Sequence, residues 1–401
     1  MRTTWTFHSA GQLLFGFGAA GQLGDIALRL GAKRVFIVTD TVLVKTGLAE
    51  YIRSPLQANR IAVEIFSGGE PEPSFRAAES CIENARQFRP DLLLGLGGGS
   101  NMDLAKVSAT VLAHGGTAGD YVGEDKVSGP ILPLICVPTT AGTGSEVSAA
   151  AVLTDSANKL KVGILSNHLR PRVALVDPEL TLSCPPKLTA DSGIDALTHA
   201  IEAYTAIDNE IFPLPAGERS TYQGRHPLGD CFAEKAISLI GANLARAVQQ
   251  GSDREARAAM ALGATLGGLA FSNVGVALVH ALEYPVGGAT HCSHGAGNGL
   301  LLPYVMRFNL PERRGEFATI ARLLGEDVMH LSEEEAAEAA IRAVEKLRSQ
   351  IGIPTRLLDL GVQETQLRQL AEKAMGIKRI LRVNPRPVTV DDCEAILKDA
   401  Y

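Results

Sequence analysis

The chain has 401 residues, of which 46 % are hydrophobic and 20 % charged, and a formal net charge of −6. That length exceeds one comfortable core and predicts two domains, while the acidic balance leaves no basic footprint for nucleic acid or an anionic membrane surface; small molecules and further copies of the chain are the expected partners. Six cysteines without CxxC spacing argue against a zinc knuckle or a disulfide framework and fit a reducing, cytoplasmic setting, and no targeting or membrane-spanning segment is expected.

The first half alternates short β-branched runs with amphipathic stretches. Residues 35–38, 61–66, 92–96, 132–137 and 173–176 read as strands, and 20–30, 42–56, 74–88 and 102–114 carry helical spacing. This rhythm predicts a Rossmann-like α/β domain with a mostly parallel sheet over 1–183. Beyond it, strand signals nearly vanish and Ala/Leu/Glu/Arg-rich patterns predict a helical domain over 184–401, for example 333–351, bounded by Ser332 and by Gly352 and Pro354. One aperiodic, proline-interrupted insertion, 208–227, breaks that pattern.

Two glycine loops compete for a dinucleotide. GFGAAG (16–21) is a literal GxGxxG, and Asp40 ends a strand 19 residues after its third glycine. GLGGGS (95–100) has Ser100 where that pattern wants glycine, yet it follows the strongest strand and opens a helix, so Gly97, Gly98, Gly99 and Ser100 could present backbone amides and a helix N-terminus to a pyrophosphate. A carboxylate at Asp40 suits either loop; it can bind ribose hydroxyls and repel a 2′-phosphate, favouring NAD over NADP. After the fourth strand, PTTAGTGSE (138–146) offers the hydroxyls of Thr139, Thr140, Thr143 and Ser145 at a strand end, with Lys161 as a possible nearby cation.

The helical half carries a different chemistry. Asp195 and His199 stand four residues apart in GIDALTHAIEAY (193–204), on one face of an expected helix. An isolated pair of this kind is usually a surface or core contact, but His280, His291 and His294 fall within 15 residues of one another. Asp195, His199, His280 and His294 would supply one hard oxygen and three imidazoles to Fe2+ or Zn2+, leaving a position for substrate; His291 and Cys292 rank below them. Glu202 reads as a supporting or surface residue.

The combination GGGSxxDxAK (97–106), PTTAGTGSE, DALTHAIEAY and H(x13)HG (280–295) resembles the iron-containing, group III alcohol dehydrogenase family. The resemblance spans nearly the whole chain. It implies a dehydroquinate synthase-like architecture, a metal held by Asp195, His199, His280 and His294, and a homodimer. It puts the pyrophosphate at 97–100 and makes GFGAAG a turn. It also implies dinucleotide contacts from Asp40, Asp103, Thr139, Thr140, Thr143, Ser145 and Lys161. The expected activity is hydride transfer between NAD(P) and a primary or secondary alcohol or hydroxyacid, with His280 and Tyr284 in catalytic roles. Tyr284 stands where many members carry a second histidine thought to relay protons, and tyrosine is a poorer relay at neutral pH. That tyrosine and the insertion resemble the hydroxyacid-oxoacid transhydrogenase branch, in which NAD stays bound; there Arg225 and His226 could meet a substrate carboxylate. The remaining readings are a dehydroquinate synthase-type enzyme, which the donor set disfavours, and a non-catalytic cleft-binding protein.

Overall fold

A computed structural model describes residues 2–155, 160–214 and 217–401. The chain divides into two compact units, one of residues 8–183 with 219–221, the other of residues 1–7, 184–218 and 222–401.

The α/β unit contains β1 (Gln12–Phe15), α1 (Leu23–Arg29), β2 (Arg34–Asp40), α2 (Thr41–Lys45), α3 (Leu48–Ala58), β3 (Ala62–Gly69), α4 (Phe75–Phe88), β4 (Leu92–Gly97) and α5 (Gly99–His114). It continues with β5 (Gly123–Glu124), β6 (Leu134–Pro138), β7 (Ala150–Asp155), β8 (Leu160–Leu165) and β9 (Val173–Val176). Six strands form a parallel sheet in the order β1-β9-β6-β4-β2-β3. Along β2, Val35 and Ile37 enter one apolar core while Phe36 and Val38 enter another. Both faces are therefore covered, which is why these strands read as continuous apolar runs. The expected helix over 42–56 is two helices instead, because Gly47 takes φ of 81°, a left-handed conformation that ends α2 and restarts the chain as α3.

Strand order reverses at β2, which has β3 on one side and β4 on the other. In open α/β sheets, ligands bind outside the carboxyl ends of the strands at such a switch point. The chain puts Asp40 at the end of β2 and Gly97 at the end of β4. A small second sheet, β5-β8-β7, was not foreseen; its β7–β8 pair is antiparallel.

The other unit holds no named strand among the described residues. Its principal helices are α6 (Pro186–Tyr204), α7 (Pro227–Gln249), α8 (Arg254–Val274), α9 (Leu278–Thr290), α10 (His294–Asn309), α11 (Arg314–Leu323) and α12 (Glu333–Gln350), followed by shorter ones. Ser332 and Glu335 form a capping box at the start of α12, as the sequence boundary predicts. No single helix among the described residues is long and apolar enough to cross a membrane; α8 and α9 pass that test only as a pair bent by 103°.

Candidate metal centre and dinucleotide site

The α6 helix is buried along almost its whole length, so its two polar residues of interest, Asp195 and His199, lie inside the helical unit. A 103° bend after α8 starts α9 in a new direction and presents His280, itself buried. The N-terminus of α10 then reaches α6 by close backbone approach. A Cβ on Gly295 would lie 1.9 Å from the Asp191 carbonyl oxygen, so only glycine lets His294 come this near.

Asp195, His280 and His294 each turn one ligand atom into a group whose members all lie within 4.8 Å of one another. From Asp195 Oδ1 the distances are 3.8 Å to His280 Nε2 and 3.9 Å to His294 Nε2. His199 falls outside that mutual set, but its Nε2 is 4.0 Å from the same carboxylate oxygen and its ring stacks on those of His280 and Phe271. His291 is exposed at the end of α9 and Cys292 is outside the set as well.

Three more residues complete the cluster: Glu202, which the sequence reading took as a supporting or surface residue, and Glu283 and Asn298, which it did not assign. Glu202 meets His280 Nδ1 at 2.6 Å and accepts from the Val279 N–H at 2.7 Å, while Glu283 meets His294 Nδ1. With Nδ1 of each ring tied to a carboxylate, the proton sits on that side and the Nε2 lone pair faces Asp195. Asn298, fully buried, brings its side-chain nitrogen to 2.8 Å from Asp195 Oδ1, 3.2 Å from His280 Nε2 and 3.1 Å from His294 Nε2. Its Oδ1 has no partner. Burial pushes the Asp195 carboxyl upward, but positive charge on the His199, His294 and His280 imidazoles when they are protonated, together with the Asn298 amide, outweighs that and lowers it to about 2; with the rings neutral, a bound cation would take the place of that charge. An ionised carboxylate among imine lone pairs, backed by carboxylates, fits a divalent cation. The two missed signals were one helical turn away, as Glu202 is from His199: Glu283 is three residues after His280, and Asn298 four after His294. Tyr284 is buried with its ring 6.0 Å from that of His294.

In the α/β unit, the two glycine loops have different surroundings. The amides of Gly18 and Ala20 donate to the two oxygens of buried Asp177 at 3.1 and 3.0 Å, so the GFGAAG loop already wraps a carboxylate of its own chain. The second loop lies at the switch point. Gly97 has φ of 139°, and a Cβ there would strike Asn101, whose amide bonds Asp40 Oδ2 at 2.8 Å and the Leu96 carbonyl at 3.0 Å. Asp40 Oδ1 caps α2 through the Val42 and Leu43 amides. Thr139 donates its N–H to the Gly97 carbonyl at 3.0 Å. Thr140 and Thr143 face Gly98 and Gly99, where an added Cβ would come within 3.6 and 2.8 Å of them.

Ser100 Oγ accepts from the Glu72 amide, and the Glu72 carboxylate pairs with buried Lys161 at 2.7 Å. Glu72 itself is left-handed with φ of 53°, a strained state for a residue with a Cβ. Asp103 and Ser145 bond each other at 2.6 Å.

The described part of the insertion belongs to the helical unit except residues 219–221, which group with the α/β unit. Arg225 is held by Asp230 at 3.0 Å, by Asp208 and by Glu316, and His226 is buried, stacked on Trp5 and accepting from the Gly229 amide as the cap of α7. Arg225 already has three carboxylates of its own chain beside it, and His226 caps α7 through Nδ1 with its buried Nε2 left without a hydrogen-bond partner; residues 215 and 216 lie outside the described residues.

A doubly covered parallel sheet with a glycine-rich switch point and a buried His/carboxylate donor cluster define the class of metal-assisted, dinucleotide-linked dehydrogenases. The family model for iron-containing alcohol dehydrogenase matches residues 10–178, and that for the C-terminal part of the Fe-containing alcohol dehydrogenase family matches residues 216–401. The chain is 40 % identical over 389 residues to long-chain-alcohol dehydrogenase 1 of Geobacillus thermodenitrificans, covering 96 % of this chain and 94 % of that protein. It is likewise 40 % identical to the NAD-dependent methanol dehydrogenase of Bacillus methanolicus, covering 96 % and 97 %. Among solved structures, a 1,3-propanediol oxidoreductase superposes with a TM-score of 0.93 at 36 % identity, covering 99 % of this chain and 100 % of that one. The chain belongs to the iron-containing alcohol dehydrogenase family, and it is an oxidoreductase acting on alcohols and aldehydes.

Proposed function

We propose that this enzyme interconverts primary alcohols, including diols, and their aldehydes with NAD in the cytoplasm, using a divalent iron held by Asp195, His199, His280 and His294. The observation that carries the metal reading is the pair of carboxylate-locked imidazoles, Glu202–His280 and Glu283–His294, aimed at Asp195. When bound, the metal supplies Lewis acidity to the alcohol or carbonyl oxygen, and the nicotinamide supplies the hydride chemistry. The protein's own residues do the rest. Asp195 contributes the one anionic oxygen, Asn298 orients it, and Glu202 and Glu283 keep both Nε2 atoms unprotonated. Tyr284, buried beside His294, is the side chain assigned to pass the alcohol proton onward.

In the α/β unit, we assign 97–100 to the pyrophosphate and Thr139, Thr140, Thr143 and Lys161 to the remaining dinucleotide contacts. Two features support this: the switch-point position, and the occupation of the rival loop by Asp177. Asp40 at the end of β2 supports NAD over NADP, because a 2′-phosphate would meet its carboxylate. The relatives' names, a methanol and a long-chain-alcohol dehydrogenase and a propanediol oxidoreductase, support an unbranched primary alcohol without choosing its length.

The test uses protein purified anaerobically and loaded with Fe2+ or, separately, Zn2+. NADH formation is followed with NAD or NADP across methanol, longer 1-alkanols, 1,3-propanediol and 4-hydroxybutyrate. Expected is alcohol-dependent NADH release, fastest with Fe2+, with NAD favoured over NADP. Product from 4-hydroxybutyrate plus 2-oxoglutarate with no free NADH would replace this reading by the transhydrogenase one.

A further inference from the structure

Lys106 is a fully buried cation that none of the assigned roles uses. It stands seven residues into α5, the helix that the phosphate loop opens, on the same face as Asp103 three residues earlier. Its ammonium lies 2.9 Å from Ser145 Oγ, 3.0 Å from Ser148 Oγ, 3.2 Å from the Ser148 carbonyl and 2.8 Å from the Ala150 carbonyl. Asp103 Oδ1 is 3.9 Å away and accepts from Ser145 Oγ at 2.6 Å, and its Oδ2 accepts from the Val152 amide at 2.9 Å. Apart from the Asp103–Lys106 pair, which lies within α5, these contacts run from α5 to the segment after β6 or to β7. Taking a charge out of water is costly, and an apolar side chain would fill the same space at less cost. What the charge adds is direction: an ammonium aimed at several fixed oxygens resists sliding or rotation of the helix against that segment.

The two partners of this contact carry the two halves of the dinucleotide site. Thr139, Thr140 and Thr143 sit in the segment just before Ser145, and they meet Gly97, Gly98 and Gly99 by the close approaches described above. Binding sites lose much of their effect when their groups drift by fractions of an ångström.

We infer that Lys106, with Asp103, is a positioning residue of the dinucleotide site: its buried ammonium latches the start of α5 to the threonine-bearing segment and fixes the separation between phosphate amides and threonine hydroxyls. The inference rests on the assignment of 97–100 to the pyrophosphate, and it makes Asp103 a partner of the latch.

The experiment is titration of the iron-loaded enzyme with NADH by fluorescence, together with the KM for NAD and kcat, for the wild type and for Lys106→Met, Ser148→Ala and Gly99→Val. Lys106→Met is expected to weaken NADH binding about 20-fold and to raise KM for NAD in step, as for loss of several charge-assisted hydrogen bonds. Its kcat at saturating NAD stays within about threefold and its iron content is unchanged, because the latch acts on cofactor placement. Ser148→Ala, which removes one hydroxyl contact, weakens binding about threefold. Gly99→Val tests the loop assignment itself, since its side chain would enter the Thr143 contact.

Loss of binding in Gly99→Val with unchanged binding in a folded Lys106→Met overturns the latch and leaves the loop assignment standing. Unchanged binding in Gly99→Val overturns the loop assignment and the latch with it. Should Lys106→Met fail to fold, Ser148→Ala decides, and an affinity equal to wild type overturns the inference.

Discussion

The glycine loops at 16–21 and 97–100 differ less in sequence than in what their surroundings ask of them. The first satisfies the dinucleotide pattern letter by letter, yet the amides of Gly18 and Ala20 are bound to Asp177, a carboxylate arriving from the end of β9. The second breaks the pattern at Ser100 but stands at the reversal of strand order, tied through Asn101 to the carboxylate of Asp40. A glycine loop becomes an anion site through the strand it follows and through what already occupies its amides; the spacing of glycines alone decides neither. The first loop serves the fold, and the second is the one we assign to the ligand.

That contrast can be broken by substitution. The largest effect is expected at Gly99, where valine should cost at least about 100-fold in dinucleotide affinity, since overpacking against Thr143 displaces the loop. Gly18→Ala should leave affinity alone and lower only the melting temperature, because φ of 79° costs an alanine about 1 kcal/mol. Equal losses of affinity in the two variants would end the distinction.

Next is Asp177→Ala. It orphans two loop amides and should destabilise the protein by about 1–3 kcal/mol in denaturant titration, with KM for NAD within about twofold of wild type. A selective rise in KM would return the dinucleotide to the first loop. Asp40→Ser should narrow the preference for NAD over NADP about tenfold, read as the ratio of kcat/KM values. Serine retains the capping role at α2.

The smallest effect separates acid unfolding from loss of dinucleotide binding when these variants are compared across pH. Burial lowers the His226 imidazole from its ordinary 6.5 to about 4, so between those values the unfolded chain binds a proton that the folded one refuses. Its contribution is complete above pH 6.5 and is lost as pH falls toward 4. His226→Asn, which can still cap α7, should flatten the fall in melting temperature across that window relative to wild type. Parallel curves would remove His226 from the account.

Much of the fold was legible because burial on both faces leaves unbroken apolar runs, as at 92–96, and because helix boundaries carry caps such as Ser332. The β7–β8 pair was not, since Lys161 and Gly163 interrupt one strand and neither strand forms a long apolar run. Asp195, His199, His280 and His294 were nameable because imidazoles and a carboxylate at helical spacing are scarce in apolar sequence. Glu202, Glu283 and Asn298 sit at equally regular spacing, but their roles arise only when α6, α9 and α10 pack together, and no local pattern encodes that packing. Asp177 was hidden for the same reason: its partners lie more than 150 residues earlier in the chain.

The central claim is that α6, α9 and α10 build one metal site on which alcohol oxidation depends. The direct measurement is titration of chelator-stripped protein with Co2+, reading visible absorption and stoichiometry, in the wild type and in Asp195→Ala, His280→Ala and His294→Ala. The account predicts one tightly bound equivalent per chain with a nitrogen- and oxygen-ligated spectrum, lost in all three variants, and alcohol-dependent NADH formation that returns with the same single equivalent of Fe2+. Absence of stoichiometric binding in the wild type, or activity persisting in the metal-free variants, would contradict it.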